Sequence, residues 1–200
     1  MAKKYQVIAL MGKSGAGKDT IARITANRNP DMFHYVVSCT TRPKRDYEED
    51  GRDYNFISIE DFARKAMKGQ LLEAAEFRNW FYGTALDNLD IEKINLCVVN
   101  PQGAAALIED DRLNTTVIWV KAPDAERLQR ALKRESNPDC KEICRRFLAD
   151  EEDFADIDFD YQTLDNTDVD QDSDYAETMC DLLYTEHGFQ NLIAHKHGQI

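Results

Sequence analysis

Residues Gly12-Lys13-Ser14-Gly15-Ala16-Gly17-Lys18-Asp19-Thr20 follow the apolar run 7–11 and precede the helix-like Ile21-Ala22-Arg23-Ile24. A buried strand, a glycine-rich loop, a lysine and then a helix form the phosphate-binding loop of nucleoside triphosphate enzymes. Glycines allow the backbone to turn its N–H groups inward toward phosphate oxygens, and the following helix adds the positive end of its dipole. Gly12, Ser14, Gly15, Ala16 and Gly17 are therefore candidates for cradling a triphosphate, and Lys18 for supplying a mobile cation to its β and γ phosphates. Asp19 stands where a hydroxyl normally reaches Mg²⁺, and Thr20 comes one residue later. Both are candidate metal ligands.

The rest of the chain alternates. A helix over 21–28 should stop at Asn29-Pro30, because proline disfavours helical geometry in the residue before it. A β-branched strand is expected over 35–40, a polar loop over 41–53, a strand over 54–58, and an amphipathic helix over 59–68 stopped by Gly69. Two strands, 71–77 and 80–84, should turn at Arg78-Asn79. Strand 96–100, helix 102–109, strand 115–120 and a helix from Pro123-Asp124 to about 134 resume the main pattern. A helix over 141–154, a strand over 160–166 and a helix over 175–186 complete it. The expected fold class is α/β, with a parallel sheet flanked by helices behind the P-loop. The core is expected at about 1–37, 95–130 and 158–187. A small β-rich lobe is expected at about 38–94, a helical lid at about 131–157, and a polar tail at 188–200.

With 200 residues the chain suits one core of ordinary domain size, and its apolar runs fall well short of a bilayer span. A net charge of −12 opposes binding to DNA or RNA, whose phosphates need a broad basic surface; a mononucleotide needs only a few converging cations. Met1-Ala2-Lys3-Lys4 leads into the first strand without the hydrophobic region of a signal peptide. Five scattered cysteines fit a reducing cytoplasm better than a disulfide framework. Cys140 and Cys144 lack the second ligand pair of a zinc site. Asp168-Val169-Asp170-Gln171-Asp172 begins like a calcium loop, but Ser173 and Met179 stand where its glycine and bidentate glutamate belong. His195 and His197 are too sparse to argue for metal.

Four further blocks carry a resemblance. Ser38-Cys39-Thr40-Thr41-Arg42-Pro43-Lys44-Arg45, Asp50-Gly51-Arg52-Asp53-Tyr54-Asn55-Phe56, Leu72-Glu73-Ala74-Ala75-Glu76 and Tyr82-Gly83-Thr84 resemble, in order and spacing, blocks of the guanylate kinase family over about 5–166. The resemblance implies transfer of a phosphoryl group from ATP, with Mg²⁺, to GMP or dGMP. It implies that Ser38, Arg42, Arg45, Tyr54 and Tyr82 hold the acceptor phosphate, and guanidinium forks do suit phosphate oxygens. Glu73, Thr84 and Asn100 would face the base, and Asn166 would lie on the ATP side. Lys18, Arg42, Arg134 and Arg146 would neutralise charge during transfer.

This chain departs from the family in two places. Where the family commonly has Asp-x-Asp-x-Gln-Gly, the sequence is Val98-Val99-Asn100-Pro101-Gln102-Gly103, with both carboxylates gone. Ala131 and Glu135 align with family arginines, while Arg130 and Arg134 lie one residue earlier. Two alternatives follow: a nucleoside or deoxynucleoside monophosphate kinase of different base preference, and a catalytically inactive module that binds proteins. The expected partners are small nucleotides, with no nucleic acid polymer and no membrane, for a monomer or homodimer.

Overall fold

The computed structural model describes residues 3–45, 48–77, 79–134 and 137–166. The expected helix over 175–186, the acidic run from Asp168, Cys180, His195, His197 and the tail lie outside the described residues.

Five parallel strands form the main sheet in the order β2-β7-β1-β8-β9: β1 Tyr5–Met11, β2 Phe33–Tyr35, β7 Ile94–Val98, β8 Leu113–Lys121 and β9 Gln162–Asp165. Alternation along β1 explains its central place, because successive side chains point to opposite faces of a sheet. Ile8 and Leu10 join one core cluster with Ile21, Leu96 and Ile118. Val7, Ala9 and Met11 join a second, with Cys97, Leu107, Val117 and Phe154. Helix α1, Lys18–Arg28, covers the first face and α3, Pro101–Glu109, lies against the second.

A second sheet of four strands has the order β4-β3-β6-β5: β3 Cys39–Thr40, β4 Asn55–Phe56, β5 Leu71–Phe77 and β6 Trp80–Ala85. Between β4 and β5 runs α2, Ile59–Met67, whose start is capped by the Ser58 hydroxyl accepting from Asp61 N–H at 3.0 Å. Gly69, at φ 63°, lets the chain leave it. The remaining helices are α4, Asp124–Lys133, and α5, Cys140–Asp153.

Two expectations need correction. The single strand over 35–40 is two strands in two sheets, β2 and β3. Between them Val36 N–H still donates to Leu96 O, and Val37 O accepts from the side-chain amides of Asn55 and Asn88 at 2.9 and 2.8 Å. Side-chain donors take over from a strand ladder there, so β-branched composition does not produce one continuous strand. Helix α1 begins at Lys18 rather than Ile21, directly after Gly17 at φ 94°.

Candidate active site

The glycine-rich loop leaves the carboxyl end of β1, where crevices of open α/β sheets hold ligands. Its shape is set by contacts that leave no room for a β-carbon. One added to Gly15, at φ 80°, would stand 2.5 Å from the Arg127 carbonyl oxygen, and one on Gly17 would stand 2.4 Å from Asn166 Nδ2. Ala16 N–H donates to Lys13 O at 3.1 Å, closing the turn. Asn166 braces it, its Nδ2 donating to Ala16 O at 2.7 Å. Arg130 donates to the carbonyls of Asn166 and Gly15 at 3.0 and 3.4 Å.

Lys18 folds over the loop, its Nζ donating to Gly12 O at 2.6 Å and Lys13 O at 3.4 Å. Burial pushes its ammonium below the ordinary lysine range, while Asp19 and Asp150 pull the other way. Asp19 and Thr20 are exposed in the first turn of α1, and Asp19 accepts from the Tyr35 hydroxyl at 3.3 Å. No cluster of three His, Cys, Asp or Glu side chains able to hold a metal unaided occurs among the described residues. Mg²⁺ characteristically uses one or two carboxylates plus substrate phosphates and water, so an exposed Asp19 beside the loop fits that donor set.

A cleft of about 290 Å³ opens between the two sheets. The loop contributes Gly12, Ser14 and Lys18 to it; the second sheet and its approach contribute Ser38, Tyr54, Glu73 and Tyr82; the end of β7 contributes Val98, Val99 and Asn100. Tyr54 and Tyr82 meet edge to face with ring centroids 5.9 Å apart. Glu73 is held by Thr84, whose Oγ1 donates to Oε1 at 2.7 Å, and burial pushes the Glu73 carboxyl above its usual range. Asn100 caps α3, its Oδ1 accepting from Gly103 N–H at 2.8 Å. That leaves its amide N–H groups as the donors it can present to a base.

The expected cationic groups are arranged less directly. Arg42 is buried and forms a two-pronged pair with Glu48, at 2.6 and 2.5 Å, with its guanidinium 5.1 Å from the Tyr54 ring centroid. Arg42, Arg45, Arg134 and Arg146 do not line the cleft. Arg45 and Arg134 are exposed, and Arg146 donates to Glu142 at 2.8 Å. Hydrogen bonds from Arg145, then Arg146, hold the Glu142 carboxyl down at about 2.

Sequence reasoning passed over Arg127, Asp150, Asp153, Phe154 and Glu48. Arg127 is only 1% exposed; it donates to Ser14 O at 3.0 Å, Asp150 Oδ2 at 3.2 Å and Asp124 Oδ1 at 2.8 Å. Asp150, Asp153 and Phe154 bring the end of α5 to the cleft. In sequence Arg127, Asp150 and Asp153 are ordinary charges on amphipathic helices and Glu48 an ordinary loop acid, and their spacing carries no signal of burial.

The guanylate kinase family model matches residues 4–181. The chain is 36% identical over 134 residues to guanylate kinase of Chlamydia felis, covering 64% of this chain and 64% of that protein. Against guanylate kinase of Thermotoga maritima it is 35% identical over 147 residues, 71% of this chain and 70% of that protein. It is also 33% identical over 147 residues to Protein PALS1 of Danio rerio, 71% of this chain but 22% of that protein. The match thus spans between about a fifth and seven tenths of these relatives' lengths. The crystal structure of guanylate kinase from Anaplasma phagocytophilum shares the fold, with a TM-score of 0.60 at 22% identity over 98% of this chain and 97% of that one. With its phosphate-binding loop, its second sheet and a family match across nearly all its length, the chain belongs to the guanylate kinase family.

Proposed function

We propose that this protein transfers the γ-phosphoryl group of ATP to GMP or dGMP. One observation carries the reading: the glycine-rich loop with Lys18 and the Ser38, Tyr54, Glu73 and Tyr82 group open into the same cleft. The acceptor phosphate is already a nucleophilic oxyanion, so no dedicated general base is needed. Catalysis then rests on in-line positioning and charge stabilisation. The loop amides orient the donor phosphates and Lys18 neutralises charge on them. Ser38, Tyr54 and Tyr82 orient the acceptor phosphate, and Arg42, Arg45, Arg134 and Arg146 are the cations assigned to the acceptor and the transferred group. Glu73 accepts from guanine N1–H and the N2 amino group, whereas adenine would set an acceptor against it. Mg²⁺ bound with ATP would neutralise phosphate charge, held by Asp19 and Thr20. Four free cysteines among the described residues fit a reducing cytoplasm as the setting.

A different base preference is the second reading, favoured by the apolar Val98 and by the Asn100 oxygen already bound to Gly103 N–H. A coupled assay with ATP and each of GMP, dGMP, AMP, UMP and CMP decides between them. Highest kcat/KM on GMP and dGMP is expected. Comparable values for AMP and GMP would promote the second reading, and no transfer to any acceptor would leave a binding module.

A further inference from the structure

The phosphate-binding loop already holds an anion, and it belongs to the chain. Ser14 N–H donates to Asp150 Oδ2 at 2.7 Å, and the Ser14 hydroxyl donates to Asp150 Oδ1 at 3.2 Å. Asp150 lies in the last turn of α5, 136 residues further along the chain. Arg127 steadies this contact, sharing one guanidinium nitrogen between Asp150 Oδ2 and the Ser14 carbonyl.

A backbone N–H in such a loop is a donor for a phosphate oxygen, and one N–H makes one strong hydrogen bond. A donor phosphate and the Asp150 carboxylate therefore compete for Ser14. Charge acts in the same direction, since a carboxylate in the cleft repels an arriving polyphosphate and offsets the attraction of Arg127 and Lys18. Arg127 does not depend on Asp150 to stay in place. It also donates to Asp124, packs under the Phe147 ring at 4.5 Å from its centroid, and lies with its main chain against Gly15. The support beneath the loop thus survives departure of the carboxylate.

We propose that Asp150 is a specificity-determining residue of the donor site: an internal anion that a polyphosphate must displace from Ser14 N–H, and which weakens binding of polyphosphate that carries no metal. This rests on reading the loop as the donor site of the reaction proposed above. Bringing a cation with the phosphates relieves the repulsion, so Asp150 favours a metal-bound donor over a metal-free one.

The test is calorimetric titration of the full chain with inorganic tripolyphosphate in EDTA, for the wild type, Asp150→Asn, Asp150→Ala and Glu151→Gln. Asp150→Asn keeps the side chain's shape and an oxygen for Ser14 N–H while removing the charge. Asp150→Ala removes the competitor altogether. Both should bind tripolyphosphate about tenfold or more tightly than the wild type, the scale of one charge-assisted hydrogen bond and its repulsion. Glu151 pairs with Lys13 at 2.5 Å from an exposed position, so screening should keep Glu151→Gln within about twofold of the wild type. Unchanged or weaker binding by Asp150→Asn overturns the proposal, and so does an equal gain in Glu151→Gln. A tenfold gain without ATP-to-GMP transfer by the wild type would sink the phosphotransfer reading and leave the competition standing. Transfer without the gain would do the reverse.

Discussion

Thr84 Oγ1 and Glu73 Oε1 lie 2.7 Å apart on paired antiparallel strands, the hydroxyl donating to the carboxylate. The hydroxyl thereby fixes the orientation of a half-buried acid whose charge is otherwise disfavoured by desolvation. Glu73→Ala should lower kcat/KM on GMP by about a hundredfold or more, because guanine donors would lose a desolvated acceptor, while the rate on AMP changes little. Steady-state kinetics on both acceptors measure this. Equal losses on the two would show that Glu73 does not read the base.

Lys18→Met should lose phosphoryl transfer by about a hundredfold or more, the cost of removing one preorganised charge-stabilising donor. GMP affinity should remain near wild type, because the proposed acceptor contacts come from other segments of the cleft. Single-turnover rates and GMP titration separate these effects.

Arg127→Met should destabilise the fold by about 3 kcal/mol, as removal of one partner from a buried charged network leaves the other groups uncompensated. Asp150, Asp124 and the Ser14 carbonyl all lose a donor. Urea unfolding measures the change, and a loss within about 0.5 kcal/mol, typical of a surface charge, would contradict the role assigned to the buried arginine.

Hydrogen bonds from Arg42 hold the Glu48 carboxyl below its usual range. A depressed folded-state value means that the unfolded chain binds the proton more readily. The stability this pair contributes is therefore full above the ordinary glutamate value near 4.5 and is lost as pH falls through the lower folded value. Glu48→Gln should be less stable than wild type at pH 7, with the difference shrinking below pH about 4. Urea midpoints across that range check the sign.

Strands and loop were legible because each depends on local pattern. The apolar run before Gly12, the β-branched 115–120 segment and the glycine spacing survive in the folded chain as β1, β8 and a loop with positive φ at Gly15 and Gly17. Supports assembled from distant residues were not legible. Nothing local distinguishes buried Arg127 from its half-exposed neighbour Arg130, or Asp150 from Glu151, since their partners are remote in sequence. The Val36–Ser38 crossing was illegible for the same reason: the amides that bind its Val37 carbonyl, from Asn55 and Asn88, lie 18 and 51 residues away.

That crossing bears on how the cleft can change shape. A carbonyl gripped by two amides at Val37 is a rivet, and turning its peptide plane would break both bonds together. Any closure of one sheet toward the other would therefore meet a stiff point at this joint, and its compliant places would lie in the backbone to either side. A backbone order-parameter profile should place Val37 among the rigid residues, so that the cleft behaves as jaws with a fixed pin rather than as two bodies on a slack tether.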